Sequence, residues 1–399
     1  MNKINYLFLI SFVFTLSLKE VAAEHISPKE FFPKDLGFTI ERGPKNEIYF
    51  KSYSCNKMLE IGNGFVDWKS KVDGNIPSEL PSCTCGKSND KKMIKFFFDR
   101  EVKKNNINFW QLRKKNRLKK SIKNQCYLNV DRIMPKRFKE LALRQMAIDN
   151  DYFKSSPFFI DGVNCYNTAL YVNGIINSER YIDDIEIDNF LNPPLCIPFT
   201  ENSKLRAGDI IAYYEKKNLG SLTLDYGSSK KVTLDDLGFP SHTATYVSKG
   251  IVFDKKGGRS GTPFQLGPKK YTDDVYMSGR DDYYQVNYRC LSPESLKSKL
   301  KEFPGIEKIW NDVEEVEDCY KDLYLKDSLQ VDRNIQKLRE SVLLVLSGLI
   351  DQEIRKRKKL DEQFGFYIDK EGYEDELVIL GILRSRVNTM IQDKSGRHF

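Results

Sequence analysis

The sequence predicts an α+β protein, and three observations carry that reading. A helix-like stretch after Cys165 is followed by a series of β-rich runs; residues before about 145 mix short strand-like runs with turns; and everything after Ser292 is patterned for helix. The N-terminal strand-like runs are 38–40, 47–50 and 94–98, and the later ones are 209–214, 221–226, 231–234, 243–247, 251–254 and 283–288. In the last third, Ile335, Leu338, Val342, Val345 and Leu349 alternate spacings of three and four, the seam of a packed helix, and 377–391 reads as another. The chain therefore divides into an N-terminal cysteine-containing domain (24–145), a central domain (146–291) and a helical C-terminal module (292–399) that packs on the central domain or associates with itself.

The first 23 residues read as an export signal. Lys3 supplies a positive start, residues 6–18 are almost unbroken apolar, and Val21-Ala22-Ala23 offers small residues for cleavage after Ala23. The apolar run stops at Lys19-Glu20, short of the about 20 residues that a membrane span needs. The mature chain is expected in a periplasmic or secreted location, without a transmembrane anchor.

A hydrophobic content of 40% excludes a disordered chain. The formal charge of +8 drops by one when Lys3, Lys19 and Glu20 leave, and that excess favours anionic envelope polymers or lipid headgroups as surroundings; nucleic acid is not implied. Between Lys103 and Lys123 stand nine Lys or Arg and no acid, interleaved with Phe109, Trp110, Leu112 and Leu118. This is either a solvated helix face or a docking patch for an anionic polymer.

Eight cysteines in an exported chain predict disulfides. Cys55, Cys83, Cys85 and Cys126 invite two bridges; a zinc site is the alternative, but Cys83-Thr84-Cys85 lacks the usual spacer and no histidine is near. No metal or organic cofactor is expected.

Histidine is scarce. His25 and His398 lie near the ends of the chain, so His242 is the imidazole a folded domain can use. Residues 241–247 read as a strand, Ser248-Lys249-Gly250 as a turn and 251–254 as the return strand. That register pairs Ala244 with Asp254 and sets His242 and Asp254 as diagonal neighbours on one face, where the carboxylate fixes the imidazole tautomer. Cys165 follows Asp161-Gly162 and the capping residue Asn164, which places it in the first turn of a helix. There the helix dipole and a nearby imidazolium favour a thiolate, and the Cys165 amide is positioned to donate to an oxyanion. The glycine-rich loop 255–261 opens no helix, because Pro263 follows; it reads as a border of the cleft, with Lys255, Lys256 and Arg259 available to hold an acidic substrate.

These residues resemble, over roughly 150–290, the papain-like cysteine hydrolases of the NlpC type, mostly bacterial cell-wall endopeptidases. Asn164-Cys165 stands for the usual Asp-Cys step, Ala207-Gly208-Asp209-Ile210-Ile211 matches the Gly-Asp strand start, residues 242–247 match the histidine strand, and Asp254 falls at the third polar position. The resemblance implies a papain-like core, a helix bearing the cysteine packed on an antiparallel sheet, and a thiol peptidase with Cys165 as nucleophile, His242 as proton shuttle and Asp254 as orienter. It also implies an oxyanion tyrosine, for which Tyr152 is the candidate. The chain departs from the family at Tyr166-Asn167, where Ser-Gly is usual, and in the longer stretch between Asp209 and His242. The expected substrate is an amide bond in cell-wall peptide; a transglutaminase-like acyl transferase and a non-catalytic envelope-binding protein are the alternatives.

Overall fold

The computed structural model describes residues 38–43, 47–74, 80–85, 91–108, 110–147, 163–199, 201–215, 239–255, 264–277, 283–325, 333–364 and 370–393. The export signal, Tyr152, Lys256, Arg259 and the strand-like runs 221–226 and 231–234 lie outside these residues. The architecture is mixed α+β with antiparallel sheets.

In the N-terminal part, strands β1 (Thr39–Arg42), β2 (Ile48–Ser52), β3 (Cys83–Cys85) and β4 (Cys126–Asn129) form a sheet in the order β1-β2-β4-β3. Helix α1 (Cys55–Asp73) buries Met58, Ile61, Phe65 and Trp68, whose spacing of three and four keeps them on one face. Gly64 brings its backbone against the second sheet, since a Cβ there would lie 2.2 Å from the Val247 carbonyl. Helices α2 (Lys91–Lys104), α3 (Leu112–Lys123) and α4 (Lys136–Ala147) complete this part.

Residues 94–98 are thus helical, not a strand. Met93 and Phe97, one turn apart, are the residues of α2 that reach the core, and Phe97 stacks on Tyr127 at 4.7 Å. The apolar cluster follows helical spacing, which outweighs the β propensity of consecutive phenylalanines. Cys126 is disulfide-bonded, and the strand register sets Cys85 opposite it. Cys55 and Cys83 carry no disulfide; the Cys83 sulfur approaches the Cys55 carbonyl at 3.7 Å, and burial beside Cys55 pushes its thiol up to about 12.

The second sheet contains β5 (Cys196–Phe199), β6 (Ile210–Glu215), β7 (Pro240–Ser248), β8 (Ile251–Lys255), β9 (Phe264–Pro268) and β10 (Tyr283–Cys290) in the order β5-β10-β6-β7-β8-β9. Helices α5 (Cys165–Val172) and α6 (Asp184–Leu191) precede it, and α7 (Lys269–Tyr276) interrupts it. Central strand β7 is covered on both faces: α1 and α5 pack against it, and a second cluster of Ile211, Tyr213, Ala244 and Val252 meets Tyr276. Cys196 and Cys290, register partners on β5 and β10, form a disulfide.

The C-terminal part is helical as expected: α8 (Pro293–Lys301), α9 (Pro304–Leu325), α10 (Arg333–Phe364) and α11 (Lys370–Asp393). The α10 seam is displaced by one residue, however. Leu343, Leu346 and Ile350 are buried, whereas Val342, Val345 and Leu349 are exposed, because α10 turns the former toward α11 and its buried Ile379, Leu380 and Leu383. One continuous hydrophobic cluster runs from Phe50 and Trp68 through Phe253 to Trp310 and Leu383.

Four buried charges join the C-terminal helices to the second sheet's flank. Glu317 on α9 accepts from Arg180 (3.0 Å) and Arg386 (2.8 Å), Arg180 also pairs with Glu186 on α6, and Arg386 lies over the Trp310 ring. Burial alone would raise the Glu317 carboxyl, but Arg386 and Arg180 overrule it and hold it down to about 2. Replacing one member strands buried charge. Glu317→Gln is therefore expected to cost about 3–5 kcal/mol in urea unfolding. The stability Glu317 supplies is present above the ordinary carboxyl value of 4.5 and is lost as pH falls toward about 2, so the gap between wild type and variant should narrow over that range.

Candidate active site

The N-terminal end of α5 lies off the ends of β7 and β8. The Tyr166 hydroxyl donates to the Pro240 carbonyl and, at 3.1 Å, to Asp184, while the Lys255 ammonium donates to the Val163 carbonyl at 2.6 Å. Asn164 caps the helix: its Oδ1 accepts the Asn167 amide at 3.1 Å, and its Nδ2 donates to the Ile182 carbonyl at 2.6 Å. An aspartate could make the first bond but not the second, so this cap uses both polar atoms of an asparagine. Asn167 donates to the Ser178 carbonyl at 2.9 Å, tying α5 to the segment that follows it.

The histidine hairpin has the expected register in its body. Thr245 faces Phe253, so Ala244 runs toward Asp254; the bulge lies between Tyr246 and Ser248, which shortens the turn to Lys249-Gly250. His242 Nε2 and Asp254 Oδ2 stand 3.0 Å apart, both buried. Cys165 lies close enough to the imidazole to act on its charge. Burial would lower the His242 pKa, but Cys165 and the hydrogen bond to Asp254 outweigh it and raise it from 6.5 to about 9. The raised pKa favours the protonated ring at neutral pH.

Gly208-Asp209 serves the frame rather than the chemistry. Gly208 has φ +83°, and a Cβ there would meet Trp68 at 2.8 Å. Its neighbour Asp209, fully buried, accepts from the Arg206 amide (2.7 Å) and from Arg289 (2.8 Å). Gly208 and Asp209 also exchange backbone bonds with Tyr246, which fixes β6 against β7. A cavity of about 530 Å³ lies here, between α1 and the far end of β7, and none of Cys165, His242 or Asp254 lines it.

Lys255 is 2% exposed, so its charge steadies the approach to Cys165 instead of extending into a cleft. Three residues not read from the sequence complete the site. Thr272 on α7 donates to Asp254 Oδ2 at 3.2 Å, the oxygen that also meets His242. Tyr276, one turn further, stacks on the imidazole with ring centroids 4.1 Å apart and planes 8° apart. Tyr213 packs near both rings and donates to Asp273 at 2.8 Å. The four-residue spacing of Lys269 with Asp273 and of Thr272 with Tyr276, directly after Pro268, was the available signal for this helix.

No family model, curated protein or solved structure matches the chain.

With His25, His242 and His398 as the only histidines, the His242 ring is assignable by NMR, and its half-titration is expected near pH 9. Cys165→Ala should lower it by leaving burial less opposed. Tyr276→Leu should also lower it, and Tyr276→Phe should not, because an aromatic face favours the cation. The stabilisation from the raised pKa is complete below 6.5 and lost as pH rises through about 9; thermal stability should fall across that window in wild type and less so in Cys165→Ala.

Proposed function

We propose that the protein is an exported cysteine hydrolase with a papain-like, NlpC-type core that cleaves amide bonds in the peptide part of cell-wall polymer. One observation carries the reading: Asp254 bonds His242 on the adjacent strand, and His242 lies close to Cys165 at the start of a helix. Export is supported by the N-terminal signal pattern and by the Cys196–Cys290 disulfide. No helix among the described residues is long and apolar enough to cross a membrane.

The Cys165 thiolate attacks the amide carbon. The charge that develops on the carbonyl oxygen is met by the Cys165 amide, one of the first-turn N–H groups without an intrahelical acceptor. His242, already protonated, gives its proton to the departing amine, and a thioester to Cys165 remains. His242 then takes a proton from water, whose oxygen attacks the thioester and releases the acid. Asp254 keeps Nε2 bonded throughout, so the other ring nitrogen does the transfer. Thr272 holds the carboxylate in that position.

Purified cell wall and its synthetic stem peptides are the test substrates. A thiol-directed electrophile should label Cys165 ahead of every other cysteine near neutral pH. Cys165→Ala should abolish release of new amino termini, His242→Ala should lower it about a thousandfold, and folded Asp254→Asn should retain a larger fraction. Equal labelling of all cysteines would remove the nucleophile assignment, and an Asp254→Asn variant as active as wild type would remove the orienter. Incorporation of an added amine in place of water would assign acyl transfer, and binding of cell wall without turnover would assign a non-catalytic envelope protein.

A further inference from the structure

We propose that α3 docks the protein on an anionic lipid bilayer, with its cations on the headgroups and Trp110 and Leu112 seated in the interface. Nothing in this proposal rests on the catalytic reading. Helix α3 turns Ile122 into the core and packs Leu118 against the cluster of Phe97 and Tyr127. That rotation leaves Arg113, Lys114, Arg117, Lys119, Lys120 and Lys123 exposed, and none of the six has an ion-pair partner among the described residues. Several of them are spaced three or four apart, where like charges repel. The helix therefore carries an unneutralised field that an external polyanion would relieve. A concavity of about 460 Å³ lined by Asn116, Lys119, Lys120, Lys123 and Asn124 offers cations and amides together to a phosphate-sized group.

Charge alone would suit a soluble polyanion equally well. The apolar residues decide between the two. Trp110 is 84% exposed and Leu112 is 61% exposed, at the end of the helix that carries Arg113 and Lys114. A soluble polymer satisfies the lysines and leaves both apolar side chains in water. A bilayer interface accommodates both, because indole rings and leucines sit at the boundary of headgroup and acyl chain while basic residues reach the phosphates.

The intact protein carries its own probe. Trp68 and Trp310 are buried at 0% and 2% exposure, so a change in tryptophan emission on binding reports Trp110. Titration with vesicles of phosphatidylcholine plus phosphatidylglycerol should shift emission to the blue, whereas phosphatidylcholine alone should not, and added salt should weaken the effect. Each basic residue at such a surface contributes about fivefold, so exchanging Arg113, Arg117, Lys119 and Lys120 for Gln should weaken vesicle binding several-hundred-fold, about the product of four such steps. Trp110→Ala should weaken vesicle binding about tenfold while leaving affinity for soluble polyphosphate unchanged. Circular dichroism should show both variants folded, since every altered side chain is exposed. Vesicle binding without a blue shift, and indifferent to Trp110→Ala, would overturn the proposal and assign the helix to soluble polyanions. Binding of polyphosphate but not of vesicles, or of neither, would overturn it as well.

Discussion

The hydrogen bond between His242 and Asp254 is the constraint on which the arrangement of the second sheet depends. A histidine 1% exposed would ordinarily surrender its proton, since burial penalises the charged ring. Here it keeps the proton because the Asp254 carboxylate meets Nε2 and Cys165 lies close by. Each alignment has a structural cause in a different element. Asp254 is placed by the β7–β8 register, where a slip of one residue would turn its side chain to the opposite face. Cys165 is placed by the Asn164 cap, by Tyr166 on Pro240 and by Lys255 on Val163. Helix α7 closes the third side, with Thr272 on the carboxylate and Tyr276 on the ring.

Those placements hold only if the sheet and its helices are fixed relative to one another, and buried polar groups supply that fixity where apolar packing cannot. Asn173, at the end of α5, accepts from the Trp68 indole at 2.9 Å and donates to Thr245 at 3.3 Å, so α1, α5 and β7 share one residue. Asp209 performs a similar service for β6 and β10 through Arg289. The Arg180–Glu317–Arg386 cluster extends the same logic to the C-terminal helices. Apolar contacts tolerate sliding; hydrogen-bonded buried charges do not, because each displaced partner leaves a desolvated group behind.

What could be read from the sequence follows from whether a feature is local. The Asn164 cap, the β7–β8 register and the helical C-terminal third are set by neighbours within a few positions, and all three are present in the structure. The helix at residues 94–98 was misread because three adjacent phenylalanines satisfy strand and helix patterns alike, and only contact with Tyr127 selects the helical face. The α10 seam was displaced by one residue because two apolar stripes run side by side along it; which one is buried is decided by α11, far away in sequence. Strands β5 and β9 carry too few residues to show a period. Thr272 and Tyr276 were passed over for a related reason: each matters only through a partner on another element, and nothing in the local pattern distinguishes them from surface helix residues.

A free thiol at Cys165 and disulfides coexist in this chain, and the fold keeps them apart. Cys196 and Cys290 are bridged as direct register partners on adjacent strands, and Cys126 is bridged in the first sheet. Cys165 sits instead at a helix start, 7% exposed and near the His242 imidazole. In an oxidising compartment a thiolate is the form that exchanges with disulfides, so the role proposed for Cys165 would also leave it vulnerable. Exchange needs an attacking sulfur in line with the thiolate, and burial denies that approach to anything that cannot enter the site. Burial opposes the charge on His242, which Cys165 and Asp254 restore, and the same burial shields the Cys165 sulfur.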